Sequence, residues 1–123
     1  MTNSVLIIDD ETDICFLLTN ILKEKNIEVS FANSLEDGLS KISLLRPRLL
    51  FLDINLPDGS GLEAIAKIKF LNPSIKIIII SAYDSPKEKI FAFEQGADLF
   101  LSKPLNKSLI NSAFNQILSK LPQ

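Results

Sequence analysis

Apolar and polar positions fall in alternating blocks along this chain. Val5–Ile8 (VLII) is a continuous, β-branched run, the pattern of a strand buried on both faces. "DICFLLTNILKEKN" then spaces Ile14, Leu17, Leu18, Ile21 and Leu22 as one face of a helix, with Asn26 as its stop signal. Ile27–Ala32 (IEVSFA) alternates instead, which predicts an edge strand with one wetter side. Ser34 opens a second helix to about Leu45, with Leu35, Leu39 and Ile42 as its inner stripe. A glycine in mid-helix costs about 1 kcal/mol against alanine, so Gly38 predicts close packing on the sheet.

The same alternation continues to the end. Leu49–Leu52 (LLFL) predicts a third strand, and Ser60 with Glu63 forms a capping box for a helix that stops before Asn72-Pro73. Ile75–Ile80 (IKIIII) is the fourth strand. Ser85-Pro86 is an N-cap with proline at the first helical position, and Gly96 closes that helix. Its buried stripe is expected through Ile90 and Phe93, leaving Phe91 outside. Leu99–Leu101 is the fifth strand, and after Pro104 a last helix carries Leu109, Ile110, Ala113, Phe114, Ile117 and Leu118. Five βα units imply a doubly wound, five-stranded parallel sheet with right-handed crossovers. The expected fold class is α/β, flavodoxin-like (βα)5, in strand order 2-1-3-4-5. With no linker or low-complexity tract, residues 1–123 read as one domain with no output domain in this chain.

Composition narrows the chemistry. At 123 residues and 46% hydrophobic, the chain can build a full core. A net charge of −2 lacks the basic footprint of a nucleic-acid binder. No apolar run reaches spanning length and the N-terminus has no secretory pattern, so no membrane association and a cytoplasmic location are expected. Cys15 is the single cysteine, which excludes an intrachain disulfide or a Cys-rich zinc site; it reads as a small core residue. The complete lack of histidine excludes Ser-His-Asp and Cys-His catalysis, His-ligated zinc and a phosphohistidine-carrying role.

The chemistry therefore rests on the polar residues that end the apolar runs: Asp9-Asp10-Glu11, Asp53, Ser81 and Ser102-Lys103. Each alone reads as a cap or a solvated loop residue. In a parallel sheet all of them lie on one edge, with Asp9, Asp10 and Asp53 in one crevice at the switch point. Three close carboxylates repel unless a cation neutralises them, and an all-oxygen set suits Mg²⁺. Asp53 is then a nucleophile towards a phosphoryl group, with Lys103 and Ser81 facing the phosphoryl oxygens. Gly59 and Gly61 are expected to give a flexible loop that approaches the site closely.

"LIIDDE", "LLFLDINLPDGSG", "IIIISAYD" and "GADLFLSKP" resemble the motifs of the receiver domain of two-component response regulators, across essentially the whole chain. The resemblance implies that Asp53 is the phospho-acceptor. It also implies that Asp10, Asp53 and the main-chain carbonyl of Asn55 bind Mg²⁺, with Asp9 acting through water. Ser81 stands at the hydroxyl switch position, Lys103 at the phosphate-contacting lysine, and Lys103–Pro104 at a cis bond. Phe100 replaces a switch aromatic that is often tyrosine. The implied donor is a histidine kinase or histidine phosphotransfer protein. The implied readout is a downstream protein docking on the face of helix 4, strand 5 and helix 5, where Phe91 is an anchor candidate. Asn55 and Tyr83 are expected to border the approach of hydrolytic water to Asp53. A haloacid-dehalogenase-like phosphatase using Asp53 is the alternative, although Asn55 stands where that mechanism needs a second aspartate. A flavodoxin-like carrier lacks its Ser/Thr/Gly phosphate loop here, and the P-loop signature is missing.

Overall fold

The computed structural model describes residues 4–83 and 85–118. Ten elements alternate along it: β1 (Ser4–Ile8), α1 (Thr12–Lys23), β2 (Glu28–Ala32), α2 (Leu35–Leu45), β3 (Leu49–Asp53), α3 (Gly61–Leu71), β4 (Lys76–Ser81), α4 (Pro86–Gln95), β5 (Leu99–Ser102) and α5 (Lys107–Leu118). The five strands form one parallel sheet in the order β2-β1-β3-β4-β5, which is the expected 2-1-3-4-5. β2 is an edge strand, half-exposed along most of its length.

Continuous apolar runs are required because successive side chains point to opposite faces and both faces are covered. Val5, Ile7, Phe51, Ile78 and Ile80 pack on one side with Leu18 and Leu22 of α1 and Ile110 and Phe114 of α5. Leu6, Ile8, Leu50, Leu52, Ile77 and Ile79 pack on the other with Ile42 of α2, Ile65 and Ile68 of α3 and Ala92 of α4. Cys15 lies in the first of these cores. Of the expected inner positions of α5, the Leu118 side chain lies outside the described residues.

The local signals act as their chemistry requires. Ser34, Ser60 and Ser85 each accept a hydrogen bond from the backbone N–H three residues on, at 3.2, 3.5 and 3.2 Å. Asn26 takes up φ +62° just beyond α1, and Gly96 takes φ +120° at the end of α4. A Cβ on Gly38 would collide with the Ile8 side chain, so α2 lies tight against β1.

α4 departs from expectation. Ile90 and Phe93 are exposed rather than buried, as is Phe91, and Ala92 is the buried residue of this helix. Four adjacent apolar residues, 90–93, span almost a full helical turn, so the pattern does not single out a face. The helix packs through its smallest apolar side chain instead.

Candidate functional site: an acidic crevice at the carboxyl ends of the strands

β1 and β3 pair with Ile8 opposite Leu52, so the residues that follow, Asp9 and Asp53, emerge side by side. Asp9 is fully buried, Asp53 is buried, and Asp10 stands exposed on the rim. Asp9, Asp10 and Asp53 each offer a carboxylate oxygen, all within 4.8 Å of one another. Lys103 enters from β5, where its N–H donates to the Ser81 carbonyl at 2.7 Å. Its Nζ lies 2.7 Å from Glu11 Oε1, 3.1 Å from Asp9 Oδ2 and 3.6 Å from Asp53 Oδ2. The Lys103–Pro104 peptide is cis, as the resemblance implied.

Backbone donors fix the carboxylates. The Glu11 N–H donates to Asp9 Oδ1 at 2.8 Å, and the Asn55 N–H to Asp53 Oδ1 at 3.2 Å. The side-chain amide of Asn33 donates to the Asp9 carbonyl at 2.9 Å, and the Cys15 thiol contacts the same oxygen at 3.5 Å. Ser81 is fully buried, and its Oγ accepts the Tyr83 N–H at 3.1 Å. Tyr83 itself is 68% exposed. With Asp10, Asp53, Asn55 and Lys103 it lines an open cleft of about 510 Å³. Phe100 is half-buried against the α3/α4 core, with the Lys89 ammonium 5.6 Å from its ring centre.

Desolvation governs the electrostatics. Burial raises the Asp53 pKa to about 6; the Asn55 N–H opposes this, while the negative charge of Asp9 adds to it. Burial likewise raises Asp9, against the Glu11 N–H and Lys103. Burial by itself would lower Lys103, but Glu11, Asp9 and Asp53 together hold it above its ordinary value. Burial also pushes the Cys15 thiol up to about 11, leaving it protonated and unreactive at neutral pH. Three carboxylates, those of Glu11, Asp9 and Asp53, thus share one ammonium, with a fourth, Asp10, beside them on the rim. An all-oxygen cluster with surplus negative charge, open to solvent on the Asp10 side, fits a hard divalent cation.

Three contacts had no signature in the sequence. Glu11 makes the shortest contact to Lys103, at 2.7 Å, and Asn33 holds the acidic turn through its main chain. The third is Asp58, whose two carboxylate oxygens accept the Leu35 and Glu36 N–H groups at 2.8 and 2.9 Å. In place of a loose loop, the chain behind Asp53 forms a small hairpin in which Asn55 and Leu56 pair with Ser60 and Gly59. Its base is closed by a 3.0 Å bond from the Gly61 N–H to the Ile54 carbonyl. A Cβ at Gly61 would strike the Asp53 carbonyl, so the expected close approach is present.

Residues 5–115 match the family described as the response regulator receiver domain. The KDP operon transcriptional regulatory protein KdpE of Escherichia coli (strain K12) is 38% identical over 104 residues, covering 85% of this chain and 45% of KdpE. The chain spans half or less of the length of the first curated relatives it matches. The CheY-like response regulator receiver domain protein from Methanospirillum hungatei JF-1 superposes with a TM-score of 0.92 at 32% identity, over 98% of this chain and 96% of that one. A response regulator protein from Burkholderia pseudomallei, solved with a phosphorylated aspartic acid, a calcium ion and citrate, gives 0.85 at 25% identity, over 96% and 72%. The phosphatase alternative finds no support among these likenesses. The chain belongs to the response regulator receiver domain family and is a receiver domain of two-component signalling systems.

Proposed function

We propose that this receiver domain accepts a phosphoryl group on Asp53 from a phosphohistidine of a histidine kinase or histidine phosphotransfer protein. The carrying observation is a buried carboxylate at the end of the central strand, 3.6 Å from the Lys103 ammonium and open to a cleft. Its pKa of about 6 leaves it largely ionised at neutral pH, and so a competent nucleophile. An Asp53 oxygen attacks phosphorus and the P–N bond to the donor imidazole breaks. The bonding pair leaves with the imidazole nitrogen, which is neutral once protonated.

The chain's own residues then have distinct tasks. Lys103 neutralises a phosphoryl oxygen, and must partly leave Glu11 and Asp9 to do so. Ser81 accepts a bond from Tyr83 through a lone pair, which keeps its O–H proton available to a phosphoryl oxygen. Asp10, Asp53 and the Asn55 carbonyl are the candidate Mg²⁺ ligands, with Asp9 acting through water. Bound Mg²⁺ supplies positive charge that offsets carboxylate repulsion and the charge on the transferred group. Support comes from the mutual 4.8 Å reach of the three carboxylates and from the Burkholderia relative, which carries a phosphorylated aspartic acid and a calcium ion. Ile90, Phe91 and Phe93, exposed on α4, favour the α4–β5–α5 face as the docking surface for a downstream protein.

Incubation with acetyl phosphate and Mg²⁺ tests this reading. One hydroxylamine-sensitive phosphate per chain is expected, and none in Asp53→Asn. Undiminished labelling of that variant would overturn the assignment.

A further inference from the structure

The hairpin behind Asp53 carries the Asn55 carbonyl, yet it has only two paired rungs. A ribbon that short has little stability of its own in water. Something outside it must fix its position, and among the described residues Asp58 supplies a polar tie from its tip to another element. Pro57 and Asp58 form the tip, and the Asp58 carboxylate is forked onto the first two N–H groups of α2, Leu35 at 2.8 Å and Glu36 at 2.9 Å. Ser34 Oγ takes the next free donor, Asp37 N–H. The fork is charge-assisted and aligned with the helix dipole, which holds the Asp58 carboxyl below the ordinary aspartate range. Beside it, Gly59 lies so near the Leu35 side chain that an added Cβ would sit 3.0 Å from Leu35 Cδ2.

A continuous chain of bonds therefore runs from α2 to the reacting carboxylate. The α2 N-terminus holds Asp58, the hairpin rungs carry that constraint to Asn55, and the Asn55 N–H holds Asp53 Oδ1 at 3.2 Å. We propose that Asp58 is a positioning residue: by clasping the start of α2 it fixes the hairpin so that the Asn55 carbonyl and Asp53 face a single divalent cation. This rests on the cation site proposed above. Asp58 makes no contact with the cation or the phosphoryl group. Its effect is exerted through the position of Asn55.

The test is an NMR titration of the full chain with Mg²⁺, comparing wild type with Asp58→Ala, Asp58→Asn, Ser34→Ala and Asp53→Asn. Thermal melts and amide exchange at Leu35 and Glu36 are recorded on each. Asp58→Ala is expected to weaken Mg²⁺ binding roughly 3–10-fold and to speed exchange of both amides. Asp58→Asn keeps one acceptor oxygen and should fall between it and wild type. Ser34→Ala removes the cap of the same helix without touching the hairpin; it should lower the melting temperature while leaving Mg²⁺ affinity unchanged. Wild-type affinity in both Asp58 variants, or equal weakening by Ser34→Ala, would overturn the positioning role while leaving the cation site intact. No Mg²⁺ response in wild type, or a response unchanged in Asp53→Asn, would overturn the cation site and the positioning role together.

Discussion

Burial sets the behaviour of Asp53. Its folded-state pKa of about 6 lies above the ordinary 3.8, so the folded protein binds the proton more tightly than the unfolded chain. The resulting stabilisation is complete below about pH 4 and is lost as pH rises through about 6. Without Mg²⁺, the melting temperature should therefore fall between pH 5 and 7. The fall should shrink in Asp53→Asn and be offset by saturating Mg²⁺; a profile unaltered by that substitution would contradict the burial argument. For Tyr83 the proposed task is to shield the phosphoryl group. It borders the cleft over Asp53 and brings no carboxylate or imidazole to activate water there, while Asn55 can at best orient a water. If the ring at that rim shields the acyl phosphate from in-line attack, Tyr83→Ala should lose phosphate faster than wild type. Equal or slower decay would dismiss shielding. Among the site residues, Asp9, Asp10, Asp53, Ser81 and Lys103 could be read from the sequence because each terminates an apolar run. Glu11 on Lys103, Asn33 on the Asp9 carbonyl and Asp58 on α2 could not. These pairs are 92, 24 and 23 or 22 residues apart, and no local pattern encodes such partners.

At the scale of elements, strands were the easiest to read and α4 the hardest. A strand buried on both faces must be apolar throughout, so VLII, LLFL and IKIIII announce themselves and fix the sheet. A helix declares its buried face through spacing, and α4 has none to offer, because its apolar residues are consecutive. The hairpin after β3 was hidden for another reason: Pro57-Asp58-Gly59 reads as an ordinary turn, and its pairing is only two residues deep. The two glycines of this hairpin give a contrast that can be measured. A Cβ at Gly61 meets backbone, the Asp53 carbonyl and Ile54 Cα, whereas at Gly59 it meets the movable end of Leu35. Gly61→Ala should cost roughly 1–3 kcal/mol, the usual range for overpacking, and slow phosphoryl uptake. Gly59→Ala should cost clearly less. Equal melts for the two variants would refute the claim that the hairpin is pressed against the β3 backbone.

Across the whole molecule, the sheet places the acidic crevice at its centre and the proposed readout face to one side. The carboxylates gather at the switch point between β1 and β3, while Ser81, Phe100 and Lys103 connect that crevice to β4 and β5 on one side of the sheet. Phe100 has no hydroxyl, so any change at this position must act through packing and through its contact with Lys89 rather than through a ring hydrogen bond. Amide shifts between the unphosphorylated and phosphorylated protein should extend from the crevice to α4, β5 and α5, including Phe91 and Phe100. Shifts confined to α1, α2 and β2 would contradict a readout on the α4 side. All of this depends on where the phosphoryl group is bonded, and that can be measured directly. Protein labelled with acetyl phosphate and Mg²⁺ is reduced with borohydride, which converts an aspartyl phosphate to homoserine, then digested and sequenced by tandem mass spectrometry. Homoserine at position 53 is the predicted result; homoserine at Asp9 or Asp10, or phosphate retained on a serine, would contradict it.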